Sequence, residues 1–235
     1  MQPVDGVTLG ANIFYNYIAN DRKAGAYTSN MKAERKTADD FVYIETQYGL
    51  VITGYNQNAK ADLRIPEQIN GAAVKAIYGS VENRWLNPWL EGGAFQEKGI
   101  TRLLILDGVT SIGDGAFSDN QLTSVVIPDS VTSIGTAAFS GNQLTSIVIP
   151  DGVIYIGAGA FDSNQLTSVV IPDSVTSIGY LAFDGNQLTS VTLGADIEVG
   201  SSAFGDSGFV DFYAGNDRKA GKYTSSNGKW SFTAR

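Results

Sequence analysis

The chain has 235 residues with no cysteine and no histidine, and 24 acidic against 16 basic side chains leave a net charge of −8. That composition removes disulfides, thiolate nucleophiles and sulfur-ligated metals, together with the commonest metal ligand and neutral-pH base. The acidic balance, with a pI near 4.5, argues against a nucleic-acid backbone or an anionic membrane as partner, and no stretch approaches the ~18 apolar residues of a membrane helix.

Residues 1–40 echo the other end of the chain. VTLGANI from Val7 to Ile13 repeats as VTLGADI from Val191 to Ile197, and NDRKAGAYTSN from Asn20 to Asn30 repeats as NDRKAGKYTSSN from Asn216 to Asn227. We read the N-terminal segment as the abbreviated close of a preceding repeat block, which makes the chain part of a longer parent. No signal peptide pattern precedes Gln2, so an export signal is expected to have been removed or to lie outside this segment.

Six Ala-Phe pairs, ending at Phe95, Phe117, Phe139, Phe161, Phe183 and Phe204, then recur every 22 residues with a last interval of 21. A fixed period of this size is the signature of a solenoid. Within the unit LTSVVIPDSVTSIGTAAFSGNQ from Leu122, Val125 and Ile127 fall on one face of a short strand. Pro128, Pro150 and Pro172 lack an N–H and end their strands, and the Asp that follows suits a turn. Val131 and Ile134 lead through Gly135 to Ala138 and Phe139 by an extended or one-turn return path. Phe139 is expected to fill the width of the coil. Asn120, Asn142, Asn164 and Asn186 are expected to form a ladder whose amides satisfy turn backbone groups at the ~4.8 Å coil spacing.

The period breaks before Phe95. Ile112 to Phe117 is a step of five residues, whereas Ile77 to Phe95 is eighteen, so YGSVENRWLNPWLEGG from Tyr78 to Gly93 must leave the coil. Long excursions from a rigid scaffold tend to carry function. Trp85, Trp89 and Arg84, with Glu82 and Glu91, are candidates for a protein or glycan contact; the alternative is that both indoles fold back over the first coils. At the C-terminus, Phe209, Phe212 and Ala214 take the strand positions of a final unit. Tyr223 and Trp230 flank SSNG, residues 225–228, as a hairpin that covers the open end within a closing segment 215–235.

Strand positions between core residues face outward. They form a lane running Arg102/Leu104, Ser124/Val126, Ser146/Val148, Ser168/Val170, Ser190/Thr192 and Asp211/Tyr213. Contiguous exposed apolar area marks interaction, so Arg102, Val126, Val148, Val170 and Tyr213 join the binding candidates, against the alternative that β-branched residues simply favour strands. Asp107, Asp129, Asp151 and Asp173 align as a column that reads better as solvated turn residues than as a calcium array, because the glycine-rich nonapeptide of calcium β-rolls is missing. Thr123, Thr145, Thr167 and Thr189 align too, but each lies at a turn with no wide TxT face for ordering water. No P-loop or GxSxG appears, and adjacent carboxylates such as Asp39/Asp40 give no facing acid/base pair. No enzyme, metal or cofactor is expected.

The pattern LxxVxIPxxVxxIGxxAFxxNQ, carried in register by Pro128, Ile134, Gly135, Ala138, Phe139 and Asn142, resembles the bacterial BspA-type, or Treponema-type, leucine-rich repeat. FVYIETQYGLVITGYNQNAKADLRIPEQINGAAVKAI, from Phe41 to Ile77, also looks like that family's usual start, a capping hairpin and then a degenerate unit at Ile65-Pro66. The resemblance implies a right-handed, curved, β-rich superhelix over residues 41–214, interrupted by 78–93. It further implies a secreted or surface-displayed bacterial protein with a role in adhesion or in binding a protein or glycan; a spacer within a larger protein and an accessory domain of a hydrolase are the alternatives. One unit departs from the pattern, with Leu106 where Pro is expected.

If Phe139 is a core group, Phe139→Ala should cost about 3–5 kcal/mol while Ser133→Ala costs little. Equal shifts in thermal unfolding would overturn this register.

Overall fold

The computed structural model describes residues 36–38, 40–55, 62–77, 93–205, 207–226 and 229–234. Along the chain the strands are β1 (Lys36–Ala38), β2 (Phe41–Thr46), β3 (Gly49–Tyr55), β4 (Asp62–Ile65), β5 (Gln68–Ile69), β6 (Ala72–Ile77), β7 (Arg102–Ile105), β8 (Ser111–Ile112) and β9 (Ser124–Val126). They continue as β10 (Ser133–Ile134), β11 (Tyr155–Ile156), β12 (Ser168–Val170), β13 (Ser177–Ile178), β14 (Ser190–Leu193) and β15 (Glu198–Val199). Helix α1 (Ser207–Gly215) and strands β16 (Gly221–Ser226) and β17 (Lys229–Ala234) close the described chain.

The two apolar stretches of each unit become two lines of short parallel strands, joined by the Pro-Asp turn. On one line β8, β10, β11, β13 and β15 pair in register, so that Ile112, Ile134, Ile156, Ile178 and Val199 stack. Toward the N-terminus this sheet continues through β6 to the β2–β3 hairpin, with β1 antiparallel on its outer edge. The other line contains β4, β7 and β9 in one sheet and β12 and β14 in a second. Leu106, where the pattern asks for Pro, donates its N–H to Ile65 O at 3.3 Å, a bond proline could not make.

Between the lines lies the core. Phe95, Phe117, Phe139, Phe161, Phe183 and Phe204 form one continuous stack, with centroids 5.1–5.5 Å apart and ring planes within 7–12° of parallel. Coils approach closely enough at Gly157 that a Cβ there would sit 2.5 Å from Gly135 C and Thr136 N. Conservation of this spacing along the axis is why the unit needs glycine after its second isoleucine. Next to the stack runs the asparagine ladder. Asn142 Nδ2 donates to Phe117 O and Phe139 O at 3.0 and 3.1 Å, while its Oδ1 accepts from Leu122 N at 3.0 Å. Asn120, Asn164 and Asn186 repeat the arrangement, so each amide ties its own turn to the coil before it.

The last unit differs from the expected one. Residues 207–215 form a helix, not a strand, because Phe209, Phe212 and Tyr213 follow an i, i+3, i+4 spacing with no Pro-Asp turn ahead of them. Tyr213 consequently turns inward and is 2 % exposed, its hydroxyl accepting from Ile197 N at 3.0 Å and lying 3.4 Å from Gly194 O. At this end Phe209 meets Phe204 edge-on at 4.7 Å and Trp230 edge-on at 4.7 Å. β16 adds antiparallel to β14, and β17 pairs with β16 so that Ser226 faces Lys229; the two turn residues of that hairpin, Asn227 and Gly228, lie outside the described residues. At the other end Tyr55 tilts by 44° against Phe95 at 5.6 Å, and Phe41 meets it at 73°.

Asn142→Ala leaves the buried Leu122 N–H without its acceptor and removes the amide that ties Phe139 O to Phe117 O, so it should cost about 2–4 kcal/mol, against less than about 0.5 kcal/mol for the exposed neighbour Gln143→Ala. Thermal or denaturant unfolding of the two variants measures the difference.

Candidate functional site

The outward lane of the β4–β7–β9 and β12–β14 strands is the first candidate. Alternation puts Val125, Val169 and Val191 toward the core and Val126 and Val170 into solvent. Val126 and Val170 are more than half exposed and Val148, between them, is 81 % exposed. Arg102, at the start of the lane, is held by Asp62 on the adjacent strand through two hydrogen bonds, Nε to Oδ1 at 2.6 Å and Nη2 to Oδ2 at 2.8 Å. That bond and the carboxylate's charge raise the guanidinium pKa above its ordinary value. Toward the C-terminus the lane ends at Ser190 and Thr192, which pair with Thr224 and Lys222 of β16. Tyr213 does not belong to it, for the reason given above. Trp85, Trp89 and Arg84 lie outside the described residues.

The lane is interrupted at its centre. Among the described residues, 146–148 pair with neither β9 nor β12, although their sequence differs from the neighbouring units by little. Thr123 N donates to Thr101 O and Thr189 N to Thr167 O, but the same step is missing on both sides of Thr145. Two substitutions fall in this coil. Ile147 brings an extra methylene into a slot that holds Val125, Val169 and Val191 elsewhere, and like Val125 it stays only partly buried where Val169 and Val191 are buried. Gly152 replaces the serine whose hydroxyl, as Ser130 or Ser174, donates to Val109 O or Val153 O at 2.8 Å. A depression of about 440 Å³ lies here, lined by Ile147, Val148, Val170, Pro172, Asp151 and Asp173.

Chemistry beyond binding finds little support in the geometry. No group of three or more acidic side chains is placed to hold a metal ion among the described residues, and Asp107, Asp129, Asp151 and Asp173 are exposed turn residues. The tyrosines with raised pKa include two core residues at the closing end, where burial and then the neighbouring Tyr213 push Tyr223 up to about 12. No helix among the described residues is long and apolar enough to cross a membrane. At 146–148 the sequence sets this coil apart from its neighbours by little more than one Val-to-Ile change, since Gly152 recurs as Gly108 in a coil whose strand pairs. Four other exposed apolar side chains sit off the lane altogether, Tyr48 in the β2–β3 turn and Ile154, Tyr155 and Tyr180 on the repeats; the signal of the last three was that each replaces a small residue of the repeat.

Comparison with known proteins agrees with this architecture. The family model described as the BspA type leucine rich repeat region matches residues 90–210 in six copies. Among solved structures, a leucine-rich repeat protein from Bacteroides ovatus is 28% identical with a TM-score of 0.54, over 67% of this chain and 41% of that one. A T. pallidum leucine-rich repeat protein is 21% identical with a TM-score of 0.52, over 78% of this chain and 96% of its own. The pneumococcal vaccine antigen PcpA shares the fold at 16% identity and a TM-score of 0.56, over 73% of this chain and 47% of its own. The chain thus spans less than half the length of the Bacteroides and pneumococcal proteins. No curated protein matches it significantly.

Without its ladder, the segment 146–148 should open more readily than the strands beside it. In native-state hydrogen exchange the Ile147 and Val148 amides are expected to exchange faster than those of Val169 and Val191, and Ile147→Val to slow them.

Proposed function

The chain belongs to the BspA-type leucine-rich repeat family, and from that premise we propose that it is a non-enzymatic binding module of a secreted or surface-displayed bacterial protein. Its ligand is a protein segment held on the strand lane. The observation that carries this reading is the valine strip, Val126, Val148 and Val170, beside the depression at 146–148.

Strand propensity alone does not account for the strip. Thr192 occupies the equivalent position of the next coil and pairs with Val170 in the same ladder, so a β-branched polar residue serves the strand equally well. Valine there adds exposed apolar area and nothing to the core. Contiguity supplies the rest: the three side chains lie one coil apart, Val126 and Val170 on strands β9 and β12 and Val148 on the unpaired segment between them. Arg102 contributes a charged boundary to the lane, already oriented by Asp62.

The double variant Val148→Glu/Val170→Glu tests the reading on the full chain. Both sites are exposed, so melting should stay close to wild type. Immobilised wild type is expected to retain a discrete protein from host or bacterial extracts and the variant to lose it. Equal retention by the two, or none by either, would favour the spacer role instead.

A further inference from the structure

The repeat contains its own control, because neighbouring coils show what folding requires at each surface position. On the sheet of β8, β10, β11, β13 and β15, the position before the outward strand residue is Thr110, Thr132 and Thr176. Each of these hydroxyls donates to a carbonyl of the preceding coil, Lys75 O, Thr110 O and Ile154 O, at 3.1–3.2 Å. In the coil between them Ile154 stands at that position and cannot make the bond. The next position is Ser111, Ser133 and Ser177, with Ser133 Oγ donating to Ser111 Oγ at 3.0 Å; here the same coil has Tyr155. After the close-packed glycine come Asp114, Thr136 and Ala158, and then Tyr180.

Ile154, Tyr155 and Tyr180 are 46%, 37% and 54% exposed. They occupy two adjacent coils, and none of them belongs to the core. Two of them forgo hydrogen bonds that equivalent residues make. All three put apolar surface where the fold accepts Thr, Ser or Asp. Their surroundings are polar: Asp114, with Oδ1 accepting from Thr136 N at 2.7 Å, lies two coils before Tyr155, and the exposed Glu198 lies two coils after it. Tyr155 lies partly against the protein, and burial, then the Asp114 carboxylate, push its phenol up.

The size of this island selects among partners. A stable protein interface covers roughly 800 Å² on each side around an apolar centre. Two half-exposed tyrosines and an isoleucine offer on the order of 200–300 Å², given the 150–250 Å² an aromatic side chain carries. That area, rimmed by carboxylates and hydroxyls, matches a sugar ring or two. A pyranose has an apolar C–H face that stacks on an aromatic ring and an edge of hydroxyls that donate to carboxylates.

We propose that Tyr155 and Tyr180 form a glycan-binding platform, with Ile154 widening its apolar floor. This platform is separate from the strand lane and does not depend on the lane's being a protein site. Its ligand class is a pyranose-containing oligosaccharide.

The repeat also furnishes the variant. I154T/Y155S/Y180T puts into each site the residue that Thr132, Ser133 and Thr136 already hold one or two coils away, so it is expected to melt no lower than wild type. The full chain is applied to a printed array of plant, bacterial and animal glycans, and a retained glycan is titrated calorimetrically. We expect retention of at least one glycan class, a fall in affinity of more than about tenfold in the triple variant, and survival of binding in Tyr155→Phe, which keeps the ring, and in Val148→Glu/Val170→Glu, which alters only the lane. Silence across the array, or equal binding by the triple variant, would overturn the proposal.

Discussion

Every backbone hydrogen bond that holds one coil of this protein to the next runs along the same axis, and that constraint governs the rest. Parallel strands repeat at about 4.8 Å, so whatever occupies one coil must tolerate its own image at that distance above and below. A phenylalanine satisfies the requirement by stacking, which is why the six rings lie within 12° of parallel. An asparagine satisfies it because its amide carries both donor and acceptor and can bridge two turns at once. Glycine satisfies it where backbones approach too closely for a Cβ, as at Gly157. The unit is therefore less a list of preferred residues than a set of groups that can be translated onto themselves.

Translation must stop somewhere, and the ends show how. A stacked ring presents its face to the next coil; without a partner that face would be wet. At both ends the described structure turns the following aromatic out of the stack, Tyr55 and Phe41 against Phe95, and Phe209 against Phe204. The edge-on rings cannot themselves be stacked upon in the same direction. Antiparallel pairing does the same for the backbone. β16 meets β14 in the opposite sense and β17 follows it, so the coil geometry cannot propagate through that edge.

What was legible in the sequence follows from the same constraint. Phe139, Asn142, Gly135 and Pro128 could be placed because each recurs, and a group that recurs at the period is doing something every coil needs. The helix at Ser207–Gly215 was not legible as such, since Phe209, Phe212 and Ala214 fit the strand positions when the preceding five units are taken as the template. A 3.6-residue spacing seen apart from the template would have placed Tyr213 inside. The gap at 146–148 has no counterpart in the pattern of apolar and polar residues, since Ile147 differs from the valine of neighbouring coils by one methylene and Gly152 has its match in Gly108. As for the site, the outward direction of Val126, Val148 and Val170 could be read from alternation, but the depression beside them could not.

A repeat that must superimpose on itself leaves its outward side chains almost unconstrained, and this separates the two kinds of information in the chain. Inward residues report architecture, and their sameness says nothing about role. Outward residues report role only where they differ from coil to coil at a position whose neighbours demonstrate that a small polar residue folds equally well. Val148 and Val170 meet the test weakly, because valine is the commoner choice along the lane and Thr192 the exception. Tyr155 and Tyr180 meet it strongly, because each is the single large residue in its column between Asp114 or Ser111 and Ser201 or Glu198. Exposed aromatic surface that displaces hydrogen-bonding hydroxyls opposes both solubility and the local bonding pattern, and in two adjacent coils it stands where the neighbouring coils fold with Thr, Ser or Asp.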